Sequence, residues 1–180
     1  GTEKITHGIL RDDYDMGLVF NPPRNPDLEL LAEDHAPLCA LVPPGFDLAK
    51  KESCTLSDTL NYPAALLNPH FGVAKLLANV DQGNRLARDA FLTADSINVA
   101  VHFVLSGGGI TFLPAFAVSR QLRRGEVVAI PMTDPFLARV PSHLLVRKGR
   151  PKTAAVRAVT GMIRDRMEAF GSAWYPEEHA

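Results

Sequence analysis

Tyr62-Pro63-Ala64-Ala65-Leu66-Leu67-Asn68-Pro69-His70-Phe71-Gly72-Val73-Ala74-Lys75-Leu76-Leu77-Ala78-Asn79-Val80 changes its hydrophobic period half-way along. Residues 62–67 are an uncharged apolar run of strand length, halted at Asn68-Pro69, where turn chemistry takes over. Beyond the loop, Val73, Leu76, Leu77 and Val80 recur at steps of three and four, which is one face of a helix. The stretch is a strand, a loop and a helix. The alternation then repeats. Residues 88–93 read as a short strand, and Ile97, Ala100, Val101, Val104 and Leu105 form an apolar helical face that ends at Gly107-Gly108-Gly109. Residues 110–113 are a strand, Val118 and Leu122 mark a short helix closed by Gly125, and residues 127–130 are the next strand. Three strand-helix alternations predict a parallel sheet with helices on its faces.

At the start of the chain, residues 2–11 read as a helix with Thr2 as its cap and Ile5 and Ile9 as its apolar side. Residues 16–20 fit a buried strand that Asn21-Pro22-Pro23 stops. Residues 28–32 and 38–42 are two further strands, the second ended by Pro43-Pro44-Gly45, which marks a boundary between lobes. After a proline-punctuated stretch at 131–141 come a strand at 143–147 and a long helix at 153–170. On that helix Val156, Val159, Ile163, Met167 and Phe170 make a stripe that packs on a sheet. Residues 175–180 read as a frayed tail.

A chain of 180 residues with 46% hydrophobic and 22% charged residues has the composition of a folded domain, or of two small lobes, with a substantial core. Its 19 basic and 20 acidic residues leave a net charge of −1, so no field holds nucleic acid to this chain alone. Cys39 and Cys54, without CxxC or metal-type spacing, point to a reducing, cytoplasmic setting and to no metal site. No apolar run is long enough to span a bilayer. The opening Gly-Thr-Glu-Lys has neither a start methionine nor a basic-then-apolar leader, and reads as cut from something longer. No nucleophile with a base, no carboxylate pair and no clustered metal ligands emerge at workable spacing, so neither catalytic residues nor a cofactor are assigned and the chain is not read as an enzyme.

Between residues 96 and 131 the order is a helix, a glycine turn, Ile110-Thr111-Phe112-Leu113-Pro114, an arginine-rich helix, then Gly125-Glu126-Val127-Val128-Ala129-Ile130-Pro131. Together with Tyr14-Asp15-Met16-Gly17-Leu18-Val19, Phe46-Asp47-Leu48-Ala49 ahead of Thr55-Leu56-Ser57-Asp58, Tyr62-Pro63, and Leu144-Leu145-Val146-Arg147-Lys148-Gly149-Arg150, this resembles the regulatory domain of LysR-type transcriptional regulators. The resemblance implies an α/β fold of two Rossmann-like lobes of the type 2 periplasmic-binding-protein kind, joined by two crossover strands. Lobe I would be residues 1–42 and 134–180, truncated at its N-terminus because the family's opening strand, helix and strand have no counterpart here. Lobe II would be residues 43–133. The implied function is effector sensing in a bacterial transcription regulator, with an inducer or co-inducer in the cleft between lobes and a signal to a winged helix-turn-helix that this chain lacks. DNA would be reached only through that absent domain, and the whole protein would be a homo-oligomer, a dimer or tetramer. The alternative is a solute-binding protein of the same fold serving transport.

Ligands of open α/β sheets sit outside the carboxyl ends of strands, near helix starts with N–H groups to offer. That selects the loops at Phe20-Asn21, at Asn68-Pro69-His70-Phe71-Gly72 and at Thr93-Ala94-Asp95-Ser96-Ile97. The effector-binding residues expected from them are Phe20, Asn21, Asn68, Pro69, His70, Phe71, Thr93, Ser96 and Ile97, and the resemblance implies the same positions. Each has an ordinary structural reading as well. Asn68-Pro69 is good turn chemistry, Thr93, Asp95 or Ser96 could cap a helix, and His70 could be a solvated loop histidine. The expected ligand is small and polar or aromatic, a carboxylate held by helix N–H groups included. Gly107-Gly108-Gly109 follows a helix and lacks the lysine of a phosphate loop, so it reads as a cap. Arg120, Arg123 and Arg124, with Arg147, Lys148, Arg150 and Lys152, read as solvated charge, and His102 as a partly buried side chain on an apolar helix.

Overall fold

The computed structural model describes residues 1–81, 83 and 85–172, the last seven of these without their side chains. Along the chain run α1 (Thr2–Leu10), β1 (Gly17–Phe20), β2 (Leu28–Ala36), β3 (Cys39–Val42), α2 (Leu56–Thr59), β4 (Ala64–Leu67) and α3 (Gly72–Val80). Then follow α4 (Arg85–Arg88), β5 (Leu92–Ala94), α5 (Ile97–Leu105), β6 (Ile110–Leu113), α6 (Ser119–Arg123), β7 (Val128–Pro131), β8 (Val140–Arg147) and α7 (Ala154–Ser172). Two compact units result, Gly1–Ala36 with Val140–Ala180, and Pro37–Arg139. The division falls at 36/37 and 139/140, where the resemblance implied 42/43 and 133/134: β3 is paired on both of its edges inside the second unit's sheet, and Asp134 and Leu137 accept the N–H groups of Leu56 and Leu38 there.

The first unit holds a three-stranded antiparallel sheet in the order β1-β8-β2. β8 is its centre, so Leu144, Leu145 and Val146 are buried in succession on both faces. Ile9 of α1 forms a buried cluster with Val19 and Leu145, and Ile5 and Leu28 pack against it. Thr2 does not cap α1. Gly1 occupies the cap position, and the Thr2 hydroxyl donates to the Phe20 carbonyl at 3.0 Å, fastening the helix start to the end of β1. β2 runs to Ala36, past the expected end at residue 32, and absorbs a register shift between Leu30 and Ala32. α7 lies against β2, with Val156 buried, Lys152 paired to Glu29 and the Arg164 guanidinium donating to the Leu31 carbonyl at 3.1 Å. Its stripe is only partly covered, since Val159 is 41% exposed. The side chains of Met167 and Phe170, and the tail at 175–180, lie outside the described residues.

The second unit holds a five-stranded sheet in the order β5-β4-β6-β3-β7. β4 is parallel to β5 and to β6, as strand-helix alternation requires. The sheet is nevertheless mixed, not parallel throughout. β3 is inserted between β6 and β7 and runs antiparallel to both. All four residues of β3 and all four of β6 are buried, which places the core here. Thr111 is tolerated in it because its hydroxyl donates to the Ala65 carbonyl at 2.7 Å.

The strand expected at residues 88–93 is shorter and later, Leu92–Ala94, and a helical turn ending at Arg88 precedes it. The Asp81 carboxylate, outside that window, accepts the N–H groups of Arg85 (3.1 Å) and Leu86 (2.9 Å) and so starts α4, leaving only Leu92–Ala94 to pair. Gly107 has φ +75°, and its N–H donates to Val104 while that of Gly108 donates to Phe103, a Schellman stop for α5 that fixes the glycine run as a cap. His102 lies on the exposed side of α5, not partly buried. Arg120, Arg123 and Arg124 are exposed, and Arg147 and Arg150 pair with Asp12.

Candidate functional site

In the second unit, Leu67 pairs with Ala94, so parallel β4 and β5 end side by side. The Asn68 N–H then donates to the Ala94 carbonyl at 3.0 Å, extending the ladder by one bond and bringing Asn68 next to Asp95. The Asn68 side-chain amide donates to Asp95 Oδ1, and His70 Nδ1 stands 4.0 Å from the same oxygen. The His70 ring lies on Phe71 with centroids 4.4 Å apart. Phe71 is buried and holds the cap position of α3, and Ser96 holds that of α5. Neither residue makes a side-chain cap bond, so Ser96 is not doing the capping that its sequence position offers. Two helix starts therefore meet two strand ends around Asn68, His70, Phe71, Asp95 and Ser96, with Ile97 partly exposed beside them. Thr93 and Pro69 also line a cavity of about 300 Å³ with Leu67, Leu77, Asp81 and Leu86.

Asp95 falls in one of the loops selected from the sequence but not among the effector-binding residues expected there. Its position depends on strand register, the one signal that places the residue after β5 against the residue after β4.

In the first unit, β1 ends at Phe20, whose carbonyl accepts from Thr2. Asn21 turns the chain with φ +48°, a left-handed conformation that asparagine tolerates better than most residues, and its N–H donates to the Pro141 carbonyl at 2.8 Å. Opposite Phe20 on β8 stands Ser142, 7% exposed, with no hydrogen-bond partner for its Oγ among the described residues. It too escaped the sequence reading; its only mark is a hydroxyl within the apolar run of β8. A second groove of about 530 Å³ lies between residues 22–26 and the row Leu28, Leu30 and Leu145. At its edge Glu33 Oε2 and His143 Nε2 are 2.8 Å apart but outside hydrogen-bond geometry.

These groups supply directed hydrogen bonds and apolar walls, the means of holding a small molecule. Burial pushes the Cys54 thiol up to about 12, so it stays protonated at neutral pH and is a poor nucleophile. Among the described residues no three histidine, cysteine, aspartate or glutamate side chains stand where they could hold a metal ion, and no helix is long and apolar enough to cross a membrane.

The profile of the LysR substrate binding domain matches residues 1–168. The chain belongs to that family. Solved structures of the same fold include the effector binding domain of QuiR in complex with shikimate, with 19% identity, TM-score 0.70, and 96% of this chain against 79% of that one covered. The BenM effector binding domain with its effector benzoate matches with 21% identity and TM-score 0.68 over 94% of this chain and 78% of that one. A reduced form of OxyR from N. meningitidis matches with 21% identity and TM-score 0.70 over 91% and 76%. Identities this low establish a shared fold, and the two-unit α/β architecture of this LysR substrate-binding domain is the one they share.

Proposed function

We propose that this LysR substrate-binding domain senses a small-molecule inducer or co-inducer, using Asn68, Pro69, His70, Phe71, Thr93, Ser96 and Ile97 of the second unit and Phe20 and Asn21 of the first. The observation that carries the reading is the meeting of the β4 and β5 ends with the starts of α3 and α5, in a chain whose family is defined by substrate binding. Related proteins of this fold take shikimate and benzoate, so a ligand of that size suits it. The family match favours regulation over transport. The two units serve as regulatory lobes, and the effector signal passes to a winged helix-turn-helix that does the DNA contact in a cytoplasmic homo-oligomer. No catalytic residue or cofactor is assigned.

The test is a calorimetric titration of the full-length regulator with effectors found by thermal-shift screening of small aromatic and hydroxylated compounds. Phe71→Ala or Ser96→Ala weakens binding by about 1 to 3 kcal/mol, through loss of an apolar wall or a buried hydrogen bond. Unchanged affinity in both variants rejects the assignment.

A further inference from the structure

Resting on that reading of the site, we infer that its second-unit half selects the hydrogen-bond-donating end of the effector, a hydroxyl or ammonium group, through the carboxylate of Asp95, and disfavours a ligand carboxylate at this position. Across residues 68–72 and 93–97 Asp95 is the single formally charged side chain, with histidine counted neutral. A ligand carboxylate would need donors here, and the two polar side chains beside Asp95 already face its carboxylate, which leaves only the Ser96 hydroxyl and the helix N–H groups next to that negative charge. The Asn68 amide is bonded to Asp95 Oδ1, and His70 Nδ1 approaches that same oxygen at 4.0 Å. Asp95 also immediately precedes the Ser96 cap of α5, so a negative charge already stands where the positive end of the helix would draw an anion.

The remaining acceptor capacity is open. A carboxylate accepts at about four lone-pair sites, and the Asp95 side chain is 77% exposed, so a ligand O–H or N–H can bond to it without displacing Asn68. The buried Phe71 and the His70 ring tilted against it supply an apolar wall on the same loop. A donor head on an apolar or ring-bearing body is the ligand this arrangement complements. A like charge about 5 Å from Asp95 in a partly solvated site weakens binding about tenfold.

Three probes share one ring and differ in the head group: benzylamine, benzyl alcohol and benzoate. Each is titrated into the full-length protein, with binding located by amide shifts of residues 68, 70, 71 and 93–97 in two-dimensional NMR. Benzylamine and benzyl alcohol are expected to shift these amides and to bind about tenfold or more tightly than benzoate. In Asp95→Asn the advantage of benzylamine over benzoate collapses, while Asp95→Glu retains it. Benzoate binding as tightly as the other two while shifting the same amides overturns the inference and leaves the site in place. If none of the three probes moves those amides, the site reading itself fails, and the inference with it.

Discussion

At the scale of single residues, the site divides into side chains that announce themselves and side chains that do not. The strand-end position of Asn68, His70 and Phe71 is legible because Asn-Pro after an apolar run is a local signal for a strand end, which is what proposes them as ligand contacts. Asp95 and Ser142 are not legible, because what distinguishes them is a neighbour 27 residues away in one case and burial without a partner in the other. Cys54 belongs with them. Nothing local tells a reactive thiol from an inert one, whereas its 3% exposure does. Iodoacetamide at pH 8 should leave Cys54 unmodified in the folded protein and label it once urea unfolds the chain, as mass spectrometry of the Cys54 peptide would report. Rapid native labelling would mean that the segment opens readily. The sign of the linkage follows from burial raising the folded value. The unfolded thiol ionises near its ordinary 9.0 while the folded one waits until about 12, so this contribution to stability is intact below pH 9 and is lost as pH rises across that interval.

At the scale of elements, the helices with a clean three-to-four spacing, α3 and α5, fall where their apolar positions put them, and the glycine stop of α5 behaves as its sequence suggests. The misreading at residues 88–93 has a physical cause. Ala90-Phe91-Leu92 is too short an apolar run to fix a period, and the cap that turns residues 85–88 into helix comes from Asp81. Thr55-Leu56-Ser57-Asp58 is a local signal of the opposite kind. Thr55 accepts the Asp58 N–H, Asp58 accepts the Thr55 N–H at 2.8 Å, and this capping box starts α2. Thr55→Ala should lower stability by about 1 kcal/mol in urea denaturation. No change would mean that Asp134, which accepts the Leu56 N–H at 2.8 Å, starts α2 by itself. The Lys51 ammonium, and then Thr55, hold the Asp58 carboxyl well below its ordinary 3.8. Its contribution is therefore present above that value and fades as pH falls below it, weakened throughout by solvent screening.

At the scale of the whole molecule, the two units differ in how much sheet they bury. The second has five strands with β3 and β6 covered on both faces, whereas the first has three strands, with Leu18 at 39% and Leu30 at 48% exposure. Native-state hydrogen exchange should find the slowest amides in β3 and β6 and faster exchange in β1, because backbone bonds open most readily where least apolar surface is lost. Equal protection of β1 and β3 would contradict that ranking. The α/β class, most helices and strands and, through motifs spread along the chain, the family are legible in the sequence, as are the strand-end loops proposed to hold a ligand. The elements and loops depend on periods and turn chemistry within about twenty residues, and the family on the order of the motifs. Tertiary structure alone decided that β3 enters the second sheet antiparallel between β6 and β7, that Asp81 builds α4, and that Asp95 comes to lie against Asn68. Each of these is a pairing between distant segments, set by which edges and faces remain to be satisfied once the local elements have formed.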